Sequence, residues 1–122
     1  FLVGIAEKLT MLNVVNLEVK ELIIKKGIYM KAVWKDCVIA HSNETVVVEG
    51  NHYFPINSLD HNLINISNTT SFCPWKGTAN YYDVVVKGDV NQGAAWFYPD
   101  PKEAAKQILD HVAFWKGVEV VQ

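Results

Sequence analysis

From Met30 onward, apolar and polar positions alternate with a period of two. In Lys31-Ala32-Val33-Trp34-Lys35 the lysines share one face and Trp34 lies on the other, which predicts a half-buried strand with Trp34 in the core. Residues 38–40 and 45–49 are β-branched or small, and Ser42-Asn43-Glu44 between them reads as a turn, so a hairpin is expected. Residues 79–86 and 90–98 repeat the pattern around Lys87-Gly88-Asp89 and predict a second hairpin. Between the two, residues 50–73 are rich in Asn and Ser and contain Gly50 and Pro55. They predict a long loop with one helical turn at 58–63.

Two segments have helical spacing. Asp100 can cap a helix over 101–111, Pro101 suits its first position, and Glu103 follows the cap by three residues, as in a capping box. Ala104, Ala105, Ile108, Leu109 and Val112 form its apolar stripe. Residues 113–116 and 118–121, kinked at Gly117, read as one closing strand. Near the start, Leu9, Leu12, Val15, Val19 and Leu22 recur at three and four residues and predict an amphipathic helix, although the β-branched run 19–24 pulls toward strand. All Trp, His and Pro residues follow residue 29. Residues 1–29 therefore read as an N-terminal extension, either a leader or a docking helix, and residues 30–122 as the domain. The expected fold is mainly β, with one α-helix in the C-terminal half.

Composition narrows the function classes. A chain of 122 residues supports one core. All 11 basic residues are lysines and the net charge is -2, so the forked guanidinium that grips phosphate and guanine is missing and nucleic acid is not an expected partner. No apolar run reaches the roughly 18 residues of a membrane span, so no membrane partner is expected. Cys37 and Cys73 form no Cys-x-x-Cys pair, and His41, His52, His61 and His111 show no His-x-x-x-His spacing. No metal or other cofactor is expected, and reduced thiols suit a cytoplasmic location. The oligomeric state is left open, a homodimer included.

Three dense motifs stand out: Glu49-Gly-Asn-His-Tyr-Phe-Pro55, Cys73-Pro-Trp-Lys-Gly-Thr-Ala-Asn-Tyr-Tyr82 and Ala94-Ala-Trp-Phe-Tyr-Pro-Asp-Pro101. With Met30-Lys-Ala-Val-Trp34 before them and His111-Val-Ala-Phe-Trp-Lys-Gly-Val-Glu-Val120 after, they resemble the domain of unknown function family 427 over residues 30–122. The resemblance implies a β-tent: two antiparallel sheets that meet along one edge, as in the B-type methionine sulfoxide reductases and the ligand-binding domain of cereblon. Many such relatives pin the sheets with zinc through two Cys-x-x-Cys pairs, a pattern this chain lacks. The family has also carried a nucleotidyltransferase label. That chemistry calls for an acidic pair beside a Gly-Ser phosphate grip, and neither occurs; Lys76-Gly77 also lacks the preceding glycine-rich turn of a P-loop.

Four Trp and five Tyr exceed what a core of this size needs. By alternation Trp96 and Tyr98 share a face, Phe97 takes the other, and Tyr82 aligns with Val84 and Val86. The first functional reading is a binding module. In it Glu49, Asn51, His52, Tyr53, Trp75, Lys76, Tyr82, Trp96 and Tyr98 surround a small planar, polar or cationic molecule between the sheets. The alternative is a small metal-independent enzyme that uses Cys73 as nucleophile, with Lys76 three residues away and His52 or His111 as base. A protein-interaction domain is a third reading, and two-sided packing of the rings is the plain structural one.

Overall fold

The computed structural model describes residues 28–122. The helical extension expected over 1–29 lies outside the described residues, apart from Ile28 and Tyr29. Both of these are exposed, and the Tyr29 ring stacks on His41 with centroids 4.6 Å apart.

The domain is mainly β, as expected, and consists of two antiparallel sheets. The smaller has the order β2-β1-β9, with β1 at Met30–Trp34, β2 at Cys37–Ser42 and β9 at Glu119–Val121. The larger has the order β3-β4-β8-β7-β6-β5. Its strands are β3 (Val46–Val48), β4 (Asn51–Pro55), β5 (Ile64–Cys73), β6 (Gly77–Val86), β7 (Asp89–Phe97) and β8 (His111–Phe114). The main core lies between the sheets. Ala32, Ile39 and Ala40 come from the small sheet; Phe54, Val84, Ala95, Val112 and Phe114 come from the large one. Phe54 and Phe114 meet edge to face at 5.6 Å, an arrangement that aromatic quadrupoles favour. No helix among the described residues is long and apolar enough to cross a membrane.

Three hairpins are closed by two-residue turns, and in each turn both residues have positive φ: Lys35-Asp36, Glu49-Gly50 and Lys87-Gly88. These are the turns whose twist matches that of paired strands. They change the expected connectivity. β2 and β3 do not form a hairpin, because they belong to different sheets. Residues 43–45 carry the chain from one sheet to the other, with the Glu44 amide donating to the Ser42 hydroxyl at 2.9 Å. The expected closing strand is likewise two strands. Lys116 and Gly117 have φ of 53° and 87° and send the chain from β8 in the large sheet to β9 in the small one.

Two further expectations are corrected. The long loop expected over 50–73 contains all of β4 and β5, together with short 3₁₀ turns at Ile56–Ser58 and His61–Leu63. β5 is an edge strand exposed along most of its length, so its side chains need no apolar alternation. The α-helix expected over 101–111 is a 3₁₀ stretch, Glu103–Ile108, broken at Ala105 (φ -120°, ψ 19°). Its start is Lys102, without a side-chain cap, and Asp100 instead pairs with Lys106 at 3.5 Å. Pro101 is buried, and His111 already belongs to β8. Between those fixed points the segment is too short to offset helix nucleation, and its two buried residues, Ala105 and Ile108, have the three-residue spacing of a 3₁₀ turn.

Candidate functional site

The large sheet has a second, smaller cluster on the face turned away from the main core. Tyr53 and Val48 lie at its base with Ala79, Ala113 and the 3₁₀ residues Ala105 and Ile108. Tyr81 on β6 pairs with Trp96 on β7, which pairs with Ala113 on β8, so these three side chains stand in one row on that face. Trp115, two residues beyond Ala113, joins the row. Its indole meets Trp96 edge to face at 5.7 Å and tilts against Tyr81 at 6.4 Å. Above these rings opens a hollow of about 280 Å³, lined by Asn51, Lys76, Tyr81, Trp96, Tyr98 and Trp115. It lies on the outer face of the large sheet and not between the sheets as expected, because the main core fills that space.

The polar ends of the rings are tied into the framework. Trp96 Nε1 donates to Tyr53 Oη at 3.1 Å, and Trp115 Nε1 donates to the Gly93 carbonyl at 2.6 Å. The Trp115 amide adds a bond to the Ala94 carbonyl at 3.0 Å, and Tyr81 Oη shares a hydrogen bond of 2.7 Å with Ser71 Oγ. With their polar groups bound to protein, these rings offer the hollow chiefly their faces and edges. Trp115 remains 46% exposed.

Lys76 supplies the charge. It ends the three-residue loop between Cys73 and Gly77, whose carbonyls at Pro74 and Lys76 are held by Lys102 through its ammonium (2.6 Å) and its amide (2.9 Å). Its side chain is only 11% exposed and pairs with the Glu49 carboxylate at 2.5 Å. The ammonium also sits 5.4 Å from the Tyr98 ring centroid and 5.5 Å from that of Trp75. Burial alone pulls the Lys76 pKa down; the hydrogen bond to the Glu49 carboxylate and the electrostatic influence of the Tyr53 and Tyr98 hydroxyls and of that carboxylate outweigh it, leaving the pKa above that of an ordinary lysine. Lys76 is thus a fixed cation at neutral pH, unsuited to the free-amine chemistry of a Schiff base or general base. Burial, opposed in part by Lys76, raises the Tyr98 pKa, so that residue stays a neutral phenol.

Of the residues singled out from sequence, Asn51, Lys76, Trp96 and Tyr98 line the hollow, and Glu49 reaches it through its pair with Lys76. The others are placed elsewhere. Tyr53 is fully buried beneath Trp96 and offers no surface to a ligand. His52 points to the opposite side of β4 from Asn51 and Tyr53, with Nδ1 2.9 Å from Thr45 Oγ1. Trp75 sits on the loop outside the lining, 40% exposed. Tyr82 faces the main core and stacks on Phe97 at 4.6 Å, bordering a separate hollow of about 200 Å³ near His111. Cys73 is half-buried against the smaller cluster, and neither proposed base bonds to its sulfur: His111 Nδ1 donates to the Leu109 carbonyl at 2.7 Å, and His52 is engaged by Thr45. Among the described residues, no three His, Cys, Asp or Glu side chains are grouped to hold a metal ion.

Sequence reasoning missed Tyr81 and Trp115. Alternation carried a signal for both, since Tyr81 follows Ala79 by two and Trp115 follows Ala113 by two, on the face shared with Trp96.

The arrangement defines a small two-sheet β domain with an open, aromatic-walled cleft and one buried lysine at its end. The chain belongs to the family described as Domain of unknown function (DUF427), which matches residues 24–122. No curated protein shows a match to it.

Proposed function

We propose that the domain is a binding module for a small molecule with a planar ring, held in the hollow over Tyr81, Trp96 and Trp115. The observation that carries this reading is that three rings from three strand regions converge on one open hollow while their N–H and O–H groups are bonded to the protein. Such a wall is pre-organised, so binding loses little side-chain entropy. About 280 Å³ is near the lower limit of small-molecule sites and suits a one- or two-ring compound. Asn51 and the Lys76 ammonium at the end of the hollow favour a carbonyl or acidic group on that ring over a cationic one.

Calorimetric titration with 2-naphthamide tests the reading. Trp115→Ala is expected to weaken binding about three- to tenfold, the loss of one aromatic contact of roughly 0.5–1.5 kcal/mol. The variant should keep its fold, because Trp115 is half-exposed at the end of a strand. Equal affinity in the folded variant and the parent protein would refute the proposed site.

A further inference from the structure

The rings of Tyr81 and Trp115 border more than one hollow. A second hollow of about 290 Å³, lined by Thr69, Tyr81, Gln92, Gly93, Trp115 and Lys116, shares Tyr81 and Trp115 with the first. The two hollows adjoin at those rings, and each has a lysine in its lining, Lys76 in the first and Lys116 in the second.

The two lysines differ electrostatically. Lys76 is matched by Glu49, so its hollow carries a balanced pair. Lys116 belongs to none of the ion pairs found among the described residues. It is positioned by neutral groups: its ammonium donates to the Gln92 carbonyl at 3.2 Å and lies 5.1 Å from the Trp115 ring centroid. Its own carbonyl accepts from Asn91 Nδ2 at 2.8 Å, and its φ of 53° fixes the turn into β9. Asp83, the carboxylate on the neighbouring stretch of β6, accepts from the Gly93 amide at 2.7 Å and pairs with no lysine. An ammonium has three donors, and a single carbonyl bond leaves Lys116 able to bond an incoming anion. Thr69 and Gln92 line the same hollow and carry neutral side-chain donors.

We infer that the hollow at Lys116 is an anion subsite of the ring-binding cleft, and that the ligand class is an aromatic acid: a planar ring over Tyr81 and Trp115 whose carboxylate or phosphate reaches Lys116. This inference rests on the ring-binding reading above and adds the charge and direction of the ligand.

The test uses one ring with three charges, titrated into the full chain at low salt: 2-naphthoate, neutral 2-naphthamide and cationic 2-naphthylmethylamine. The naphthoate is expected to bind about two- to fivefold more tightly than the amide, as suits one partly exposed ion pair, and the amine more weakly than either. Raising the ionic strength toward 1 M should bring the naphthoate and the amide together, and Lys116→Met should remove the difference between them. 2-Naphthyl phosphate, run in parallel, separates the two acids: whichever binds more tightly than the amide in a Lys116-dependent way is the group the subsite takes.

If neither the naphthoate nor the naphthyl phosphate binds the parent protein more tightly than the amide, the subsite is overturned while the ring site stands. An advantage that survives Lys116→Met but disappears in Lys76→Met has the same consequence. If none of the ring compounds binds, the ring site and its anion subsite fall together.

Discussion

Tyr53→Ala is expected to cost the domain about 3–5 kcal/mol, the range for removing a buried aromatic ring and leaving its cavity. Tyr53 is fully buried on β4, underneath the row formed by Tyr81 and Trp96, and its ring meets Trp96 edge to face at 6.1 Å. Its hydroxyl oxygen also accepts a hydrogen bond from the Trp96 indole N–H. The substitution therefore removes packing and orphans the donor that orients one wall of the cleft. Tyr53→Phe isolates the second effect. It keeps the ring and loses only the hydrogen bond, at about 1 kcal/mol, and it frees the Trp96 indole to turn. Urea midpoints for the two variants should separate by most of the difference. A Tyr53→Ala protein within 1 kcal/mol of the parent would mean that Tyr53 is not the floor of the site.

The second large effect lies at alkaline pH. Lys76, Tyr98 and Tyr82 all hold their protons more tightly in the folded chain than their ordinary values near 10. For the two tyrosines burial is the chief cause; for Lys76 the Glu49 bond and the neighbouring charges more than offset a burial effect of the opposite sign. Below pH 10 both folded and unfolded chains are protonated at these groups, and their stabilisation is fully present. As pH rises past 10 the unfolded chain releases protons that the folded one keeps, so stability falls. Each group contributes to this slope only between its unfolded and folded values, by at most about 1.4 kcal/mol per pH unit. Urea midpoints measured between pH 9 and 11.5 are expected to drop, and Tyr98→Phe should make the decline shallower. A flat profile would contradict the buried, proton-retaining environment described for Lys76 and Tyr98.

Those environments were partly readable from the chain. Lys87-Gly88 marked its hairpin because glycine accepts the positive φ that a tight turn requires, and the alternation around Trp96 placed Trp96 and Tyr98 on a common face. Lys35-Asp36 adopts the same turn without glycine, and there the signal was too weak to compete with Ser42-Asn43-Glu44. β5 was hidden for a different reason: an edge strand with both faces near solvent has no apolar period to detect. The segment 101–111 carried every local mark of a capped helix, yet the burial of Pro101 and the early start of β8 leave it only 3₁₀ turns, so tertiary anchoring outweighed local propensity.

The site shows how strand alternation identifies a face without saying which face is core. Tyr82 aligns with Val84 and Val86, and that apolar stripe packs against the small sheet. Its neighbour Tyr81 therefore takes the open side. Trp115 was read within a closing strand, and its role depends on the switch between sheets at Lys116-Gly117, which leaves the indole over β7 and bonded to Gly93. That switch follows from pairing between distant strands, which no local window of sequence contains.

The proposed ring compound lies against Trp96 and Trp115. The indole N–H resonances of an isotope-labelled sample, followed during titration with 2-naphthamide, test that placement directly. Trp96 and Trp115 are expected to shift in a saturable way and by more than Trp34, which belongs to the other sheet. Saturation in which Trp34 moves most, or spectra unchanged at millimolar ligand, would contradict it.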